Sequence, residues 1–167
     1  MLKLRASAND RVQDYADQFK AEFFPGKRPW SVKVDVAMPC ATQNEIFEDD
    51  AKELIKNGCI CICEGANMPT TLEAYKVIKQ AGILYSPGKA SNAGGVAVSG
   101  LEMTQNSMRL PWLRDEVDER LQQIMKKIHD TCVSTAERFG TPGNYVNGAN
   151  IAGFLKVADA MLDQGLV

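Results

Sequence analysis

A single histidine, His129, stands in 167 residues. A histidine-bearing metal site, or a Cys-His relay, therefore has little to build on. The thiol best placed to act as a nucleophile, Cys40 directly after Pro39, sits in a far earlier segment with no evident means of reaching that histidine. Gly-x-Gly-x-x-Gly is absent, so no Gly-rich turn is offered to a pyrophosphate. A Walker reading fails too: Gly88-Lys89 is followed by Ala90 rather than Ser or Thr, and Ile83 stands where the motif's first Gly belongs. No apolar run approaches the roughly 20 residues of a membrane span. Met1 to Asp10 lacks the apolar centre of a signal peptide, which points to the cytoplasm and away from a membrane. Lys and Arg number 19 against 21 Asp and Glu, a net charge of −2, so no basic stripe exists for a nucleic-acid backbone.

The five cysteines are odd in number and follow no framework spacing, as in reduced intracellular proteins. Cys59, Cys61 and Cys63 alternate along a β-like run, so they are expected to line one buried face as small hydrophobes. One strand cannot wrap three of its own side chains around an ion, which argues against zinc, and no metal is expected.

What is present is an alternation of strand and helix signals. Asn9 to Glu22 has helical spacing, with Val12, Tyr15, Ala16 and Phe19 on one side. Phe23 to Trp30, with Pro25, Gly26 and Pro29, reads as a loop. Val32, Val34, Val36 and Met38 alternate into Pro39 as a strand. Glu48 to Asn57 is a helix stopped by Gly58. Cys59 to Cys63 is a second strand. Thr70 is placed to cap the next helix, with Glu73 completing a capping box, and Gly82 ends it. Ile83 to Tyr85 is a third strand, closed by Pro87-Gly88. Beyond lie helices over Asn92 to Arg109, Trp112 to Arg138 (Val117, Leu121, Ile124, Ile128 and Cys132 on one face) and Asn144 to Gln164. The last has Ile151, Phe154, Leu155, Ala158 and Leu162 expected inside. The strands are short and apolar, as in a parallel sheet covered on both faces. The expected class is α/β: a partial Rossmann-like dinucleotide-binding domain with three strands and their covering helices over 1–91. A helical segment over 92–167 would complete and link the domains.

Ligands of open α/β sheets bind beyond the carboxyl ends of the strands. Three loops stand there: Pro39 to Glu45, Glu64 to Thr71 and Gly88 to Gly95. Each combines small residues, which admit a flat ring, with Asn or Gln, which bond a carboxamide without charge. In any one loop such residues most simply make turns and caps; three loops at equivalent places shift the balance. A helix beginning at Asn92-Ala93-Gly94-Gly95 would offer free N–H groups to an anion, and Ser99 could add a hydroxyl unless it bonds back to a carbonyl. Lys89 reads as solvated or anion-pairing, and Glu45 and Glu64 as structural partners or helix-terminus charges. No catalytic group emerges.

Pro39-Cys40-Ala41-Thr42-Gln43-Asn44-Glu45, Glu64-Gly65-Ala66-Asn67-Met68-Pro69-Thr70-Thr71, the run Gly88 to Asn106, and Tyr145 to Phe154 are long, specific motifs. In order and spacing they closely resemble the hexameric bacterial-type glutamate dehydrogenases of the Glu/Leu/Phe/Val dehydrogenase family, over essentially the whole chain. The resemblance implies NAD or NADP as cofactor, and L-glutamate, 2-oxoglutarate and ammonium as reactants. It implies that Asn67 contacts the nicotinamide or its ribose and that Ala41, Thr42 and Gln43 line the cofactor cleft. Asn92 would approach cofactor and substrate. Val96 and Ser99 would line the glutamate pocket, Ser99 donating to a substrate carboxylate.

In that family the catalytic lysine and aspartate, and the lysines that grip glutamate, belong to an N-terminal domain. That domain, the first strand with its Gly-rich turn, and the residues selecting NAD or NADP have no counterpart in this sequence. The chain alone is therefore expected to be inactive and to hold no catalytic residue, and a sheet begun so late is expected to self-associate. Two rivals are a non-catalytic nucleotide-binding or assembly module and a leucine- or phenylalanine-type enzyme. Ser99, in Ser-Gly-Leu-Glu-Met, favours glutamate, because a polar group there suits a charged side chain.

Overall fold

The computed structural model describes residues 11–165. The Met1–Asp10 stretch, including the expected start of the first helix at Asn9, lies outside them. Helix α1 (Val12–Phe19) ends with Lys20 in the left-handed region, short of the expected Glu22. A 3-10 turn, Pro29–Ser31, buries Trp30, whose Nε1 donates to the Glu45 carbonyl at 2.7 Å.

Three parallel strands follow: β1 (Val36–Ala37), β2 (Cys61–Cys63) and β3 (Leu84–Ser86), in that spatial order. Between them stand α2 (Glu48–Lys56) and α3 (Leu72–Ala81). Val36 pairs with Cys61, and Cys61 with Leu84. The first two strands are shorter than the sequence pattern suggests, β1 most of all, while β3 keeps its length and shifts by one residue. Among the described residues β1 has a neighbour on one side only, so Val32 to Val34 run without a ladder to hold them.

Helices α2 and α3 cover one face of the sheet. Ile46, Leu54, Ile62 and Ile78 are fully buried there, each worth about 1.5–3 kcal/mol of burial. Helix α2 opens on Glu48, Asp49 and Asp50, charges that suit a helix N-terminus, and the Asp50 carboxylate accepts from Phe47 N at 2.9 Å. Helix α3 is capped one residue later than expected. Thr71, not Thr70, accepts from Ala74 N at 3.3 Å. Thr70 instead bridges to Ile46, with its hydroxyl buried and unpartnered. Gly82 closes the helix in the left-handed region as expected.

The cysteines divide. Cys59 is buried before β2 begins, and its thiol donates to the Cys61 carbonyl at 3.3 Å. Ile62 takes the place in the main core, while Cys61 and Cys63 point to the opposite, half-exposed face. The expectation of one buried cysteine face therefore fails, because strand alternation gives the core to Ile62. On that second face lies a cleft of about 520 Å³, bordered by Cys61, Cys63, Leu84, Met125, Ile128 and Tyr145.

The remaining helices are α4 (Gly88–Ser91), α5 (Ala93–Met108), α6 (Arg114–Arg138) and α7 (Tyr145–Gln164). Helix α6 buries Cys132, Thr135 and Ala136 and packs mainly on α7. Gly148 makes that crossing close, since a Cβ there would stand 1.9 Å from the Cys132 carbonyl oxygen. Ile151, Leu155 and Ala158 are half-buried, whereas Phe154 is 68% and Leu162 82% exposed. The last two belong to the outer face of α7, not the inner one the pattern suggested. Among the described residues no helix is long and apolar enough to cross a membrane.

Candidate functional site

The carboxyl ends of the three strands, at Ala37, Cys63 and Ser86, lie side by side. The three loops that leave them are bonded to one another. Gly65 N and Ala66 N both donate to the Pro39 carbonyl at 2.9 Å. Asn44 N donates to the Met68 carbonyl at 3.0 Å, and Glu45 N to that of Pro69 at 2.7 Å. These bonds join the first loop to the second.

The second and third loops meet through side chains. Asn92 Nδ2 donates to the Ala66 carbonyl at 3.2 Å and to Asn67 Oδ1 at 2.7 Å. Ser91 Oγ donates to the Glu64 carbonyl at 2.6 Å. Two glycines permit this approach. A Cβ on Gly65 would stand 2.4 Å from Cys40 Sγ, and one on Gly88 would stand 2.7 Å from the Ala66 carbonyl.

Two of the predicted site residues, Asn67 and Asn92, are thus brought into direct contact. The bond turns the Asn67 oxygen inward, so its NH₂ group is left for an acceptor, and Asn92 keeps its own carbonyl oxygen. Asn67 is exposed and Asn92 half-exposed. Ala41, Thr42 and Gln43 are exposed on the first loop. Their loop is tied from within: Glu45 Oε1 accepts from Ala41 N at 2.9 Å and Thr42 N at 3.2 Å. Two amides of that loop are therefore already used.

Helix α5 starts at Ala93 with Asn92 as its N-cap, as expected. A separate four-residue run, α4, precedes it, and through that run Asn92 N already donates to the Gly88 carbonyl at 2.8 Å. The N-terminus of that run faces a carboxylate of the protein itself: Gly88 N donates to Glu64 Oε2 at 2.6 Å. Glu64 is 4% exposed, and its Oε1 accepts from the Tyr85 hydroxyl at 2.5 Å. Burial, then the neighbouring Glu64 carboxylate, pushes the Tyr85 phenol well above its ordinary value. The first N–H of α4 is therefore already satisfied within the protein.

Val96 and Ser99 follow Asn92 on α5 at helical spacing, so the three share one face. Val96 is 75% exposed. The Ser99 hydroxyl is exposed and donates to the Gly95 carbonyl at 3.2 Å, the back-bond of a helix-interior serine. Lys89 reaches Asn150 Oδ1 on α7 at 2.5 Å rather than an anion. Cys40 and His129 serve different places: the first lies against Gly65, while the second stacks on Tyr145 with ring centroids 5.7 Å apart. Sequence reasoning had no role for Tyr85 or Ser91. The available signal was Tyr85 on the strand beside β2, which Glu64 directly follows.

A family model described as Glutamate/Leucine/Phenylalanine/Valine dehydrogenase matches residues 1–165. The NADP-specific glutamate dehydrogenase of Escherichia coli (strain K12) is 55% identical over the whole chain, which spans 37% of that relative. The NAD-specific glutamate dehydrogenase of Clostridium symbiosum is 53% identical over 99% of the chain, again 37% of the relative. A solved glutamate dehydrogenase superposes with a TM-score of 0.94 at 52% identity, covering 99% of this chain and 37% of the other. The chain thus spans just over a third of the length of the curated relatives it matches.

Proposed function

The chain belongs to the glutamate/leucine/phenylalanine/valine dehydrogenase family, and on that premise we propose that it forms the nicotinamide- and glutamate-facing part of an NAD- or NADP-dependent glutamate dehydrogenase. The reaction is oxidative deamination of L-glutamate to 2-oxoglutarate and ammonium, and its reverse. One observation carries this reading. The Asn92–Asn67 hydrogen bond lies at the carboxyl end of a parallel sheet and leaves one NH₂ group and one carbonyl oxygen unpaired.

The residues present fit the nicotinamide half of the cofactor. A primary carboxamide offers one acceptor and two donors, and ribose hydroxyls offer both, so the leftover groups of Asn67 and Asn92 complement either. The loop Ala41-Thr42-Gln43 would border the flat ring. The pyrophosphate is not served by these loops, because Glu64 already faces the helix start at Gly88. When bound, the cofactor accepts or returns the hydride.

The substrate would lie along α5. Val96 would contact its chain, and the Ser99 hydroxyl would leave the Gly95 carbonyl to donate to a carboxylate. Glu45, Glu64 and Lys89 each engage an internal partner, which suits structural roles. The catalytic groups would then belong to residues beyond this segment, in a larger, cytoplasmic, hexameric protein. In it residues 1–91 would be part of the dinucleotide domain and 92–167 the helical link.

The test is a fluorescence titration of the chain with NADH and NADPH. Asn67→Ala should weaken binding by about tenfold, the worth of a hydrogen bond or two. Unaltered affinity in that variant would remove Asn67 from the cofactor face.

A further inference from the structure

We propose that Glu64 is a positioning residue: its buried carboxylate sets the third loop against the second and so holds Asn92 in register with Asn67. The relevance of this to cofactor binding rests on the reading above.

The contacts form a closed circuit. From Glu64, Oε2 accepts from Gly88 N at 2.6 Å. One turn on, Asn92 N donates to the Gly88 carbonyl at 2.8 Å, so the position of Gly88 fixes that of Asn92. The Asn92 amide then reaches Ala66 and Asn67, in the loop that starts at Glu64 itself. Two further bonds brace the circuit: Tyr85 Oη to Glu64 Oε1 at 2.5 Å, and Ser91 Oγ to the Glu64 carbonyl at 2.6 Å. Gly88 is held so near that a Cβ on it would stand 3.3 Å from Glu64 Oε2.

The chemistry of the circuit selects a carboxylate. Both side-chain oxygens of Glu64 face donors, and bonds to a charged acceptor are the stronger kind. A helix start adds favourable potential for the negative charge. Glutamine keeps the shape but has only one acceptor oxygen. Directed at Gly88 N, that oxygen leaves an NH₂ facing Tyr85, whose hydroxyl can turn to accept it. Glu64→Gln is therefore expected to fold while losing the charge-assisted bond. Tyr85→Phe removes one donor and leaves the Gly88 bond in place, so it serves as a milder second variant.

The experiment is ¹⁵N NMR on the 167-residue chain, reading water exchange of the Asn92 side-chain amide by saturation transfer. In Glu64→Gln that exchange should rise about tenfold, the loss expected for a charge-assisted bond. Amides of the buried core, such as those of Leu54 and Ile78, should be unaltered; in Tyr85→Phe the rise should be smaller. Unchanged Asn92 exchange in Glu64→Gln overturns the proposal. So does a rise shared in step by the core amides, which would mark Glu64 as a general stabiliser. NADH titration of the same samples separates the two ideas: if Asn92 responds and the wild-type chain binds no NADH, positioning stands and the assignment of the face to cofactor fails.

Discussion

Gly148 of α7 meets the carbonyl of Cys132 on α6 with no room for a side chain: a Cβ would stand 1.9 Å from the oxygen and 2.8 Å from the carbonyl carbon. The obstacle is backbone, so no rotamer change relieves it. Gly148→Ala gains about 1 kcal/mol of helix propensity, but pushing two helices apart costs more, about 3 kcal/mol by analogy with overpacked cores. The net expectation is a loss of about 2 kcal/mol in a urea titration. A midpoint equal to or above that of the parent chain would mean that the crossing is looser than described.

Helix packing also sets an alkaline limit. Burial, then Cys132 beside it, pushes the Tyr145 phenol up to about 12. In the unfolded chain the phenol ionises near 10. A raised folded value means stability is fully present below pH 10 and lost as pH rises toward 12. Tyrosinate absorbance should therefore lag that of free tyrosine, and Tyr145→Phe should flatten the alkaline fall. Equal slopes in the two proteins would show that Tyr145 is not the cause.

Much of this arrangement was legible in the sequence, for identifiable reasons. The strand–helix alternation is carried by apolar runs ended at Gly58, Gly82 and Pro87, and those stops sit where expected. The inner face of α6 follows its spacing at Leu121, Ile124, Ile128 and Cys132. What escaped depends on contacts between segments. Phe154 and Leu162 fit a helical stripe as well as Ile151 and Leu155 do; only the position of α6 decides which side is covered. Thr70 and Thr71 are equal capping candidates until the bridge of Thr70 to Ile46 removes one. The start of α5 at Ala93 was legible, but the short α4 ahead of it was not, because Glu64, distant in sequence, supplies the acceptor for its first N–H.

The free edge of β1 carries a solution prediction. Val36 is 47% and Met38 61% exposed, and β1 has no second neighbour among the described residues. Such edges invite pairing with another chain. Light scattering at micromolar concentration should give a mass above 18.3 kDa. A clean monomer would contradict this.

A place for Ser99 in the glutamate pocket would separate substrate from cofactor. In a chimera where this segment replaces the matching one of the Escherichia coli enzyme, Ser99→Ala should raise KM for glutamate about tenfold, as for one hydrogen bond to a charged group. The KM for cofactor should hold. Equal losses in both would remove Ser99 from the glutamate pocket.

The most direct measurement is turnover by that same chimera, following NAD and NADP reduction with glutamate and, separately, with leucine. The account predicts glutamate-dependent reduction, with little or none from leucine. A folded chimera that binds NADH or NADPH yet turns over neither amino acid, or prefers leucine, would contradict the assignment of this segment to a glutamate dehydrogenase.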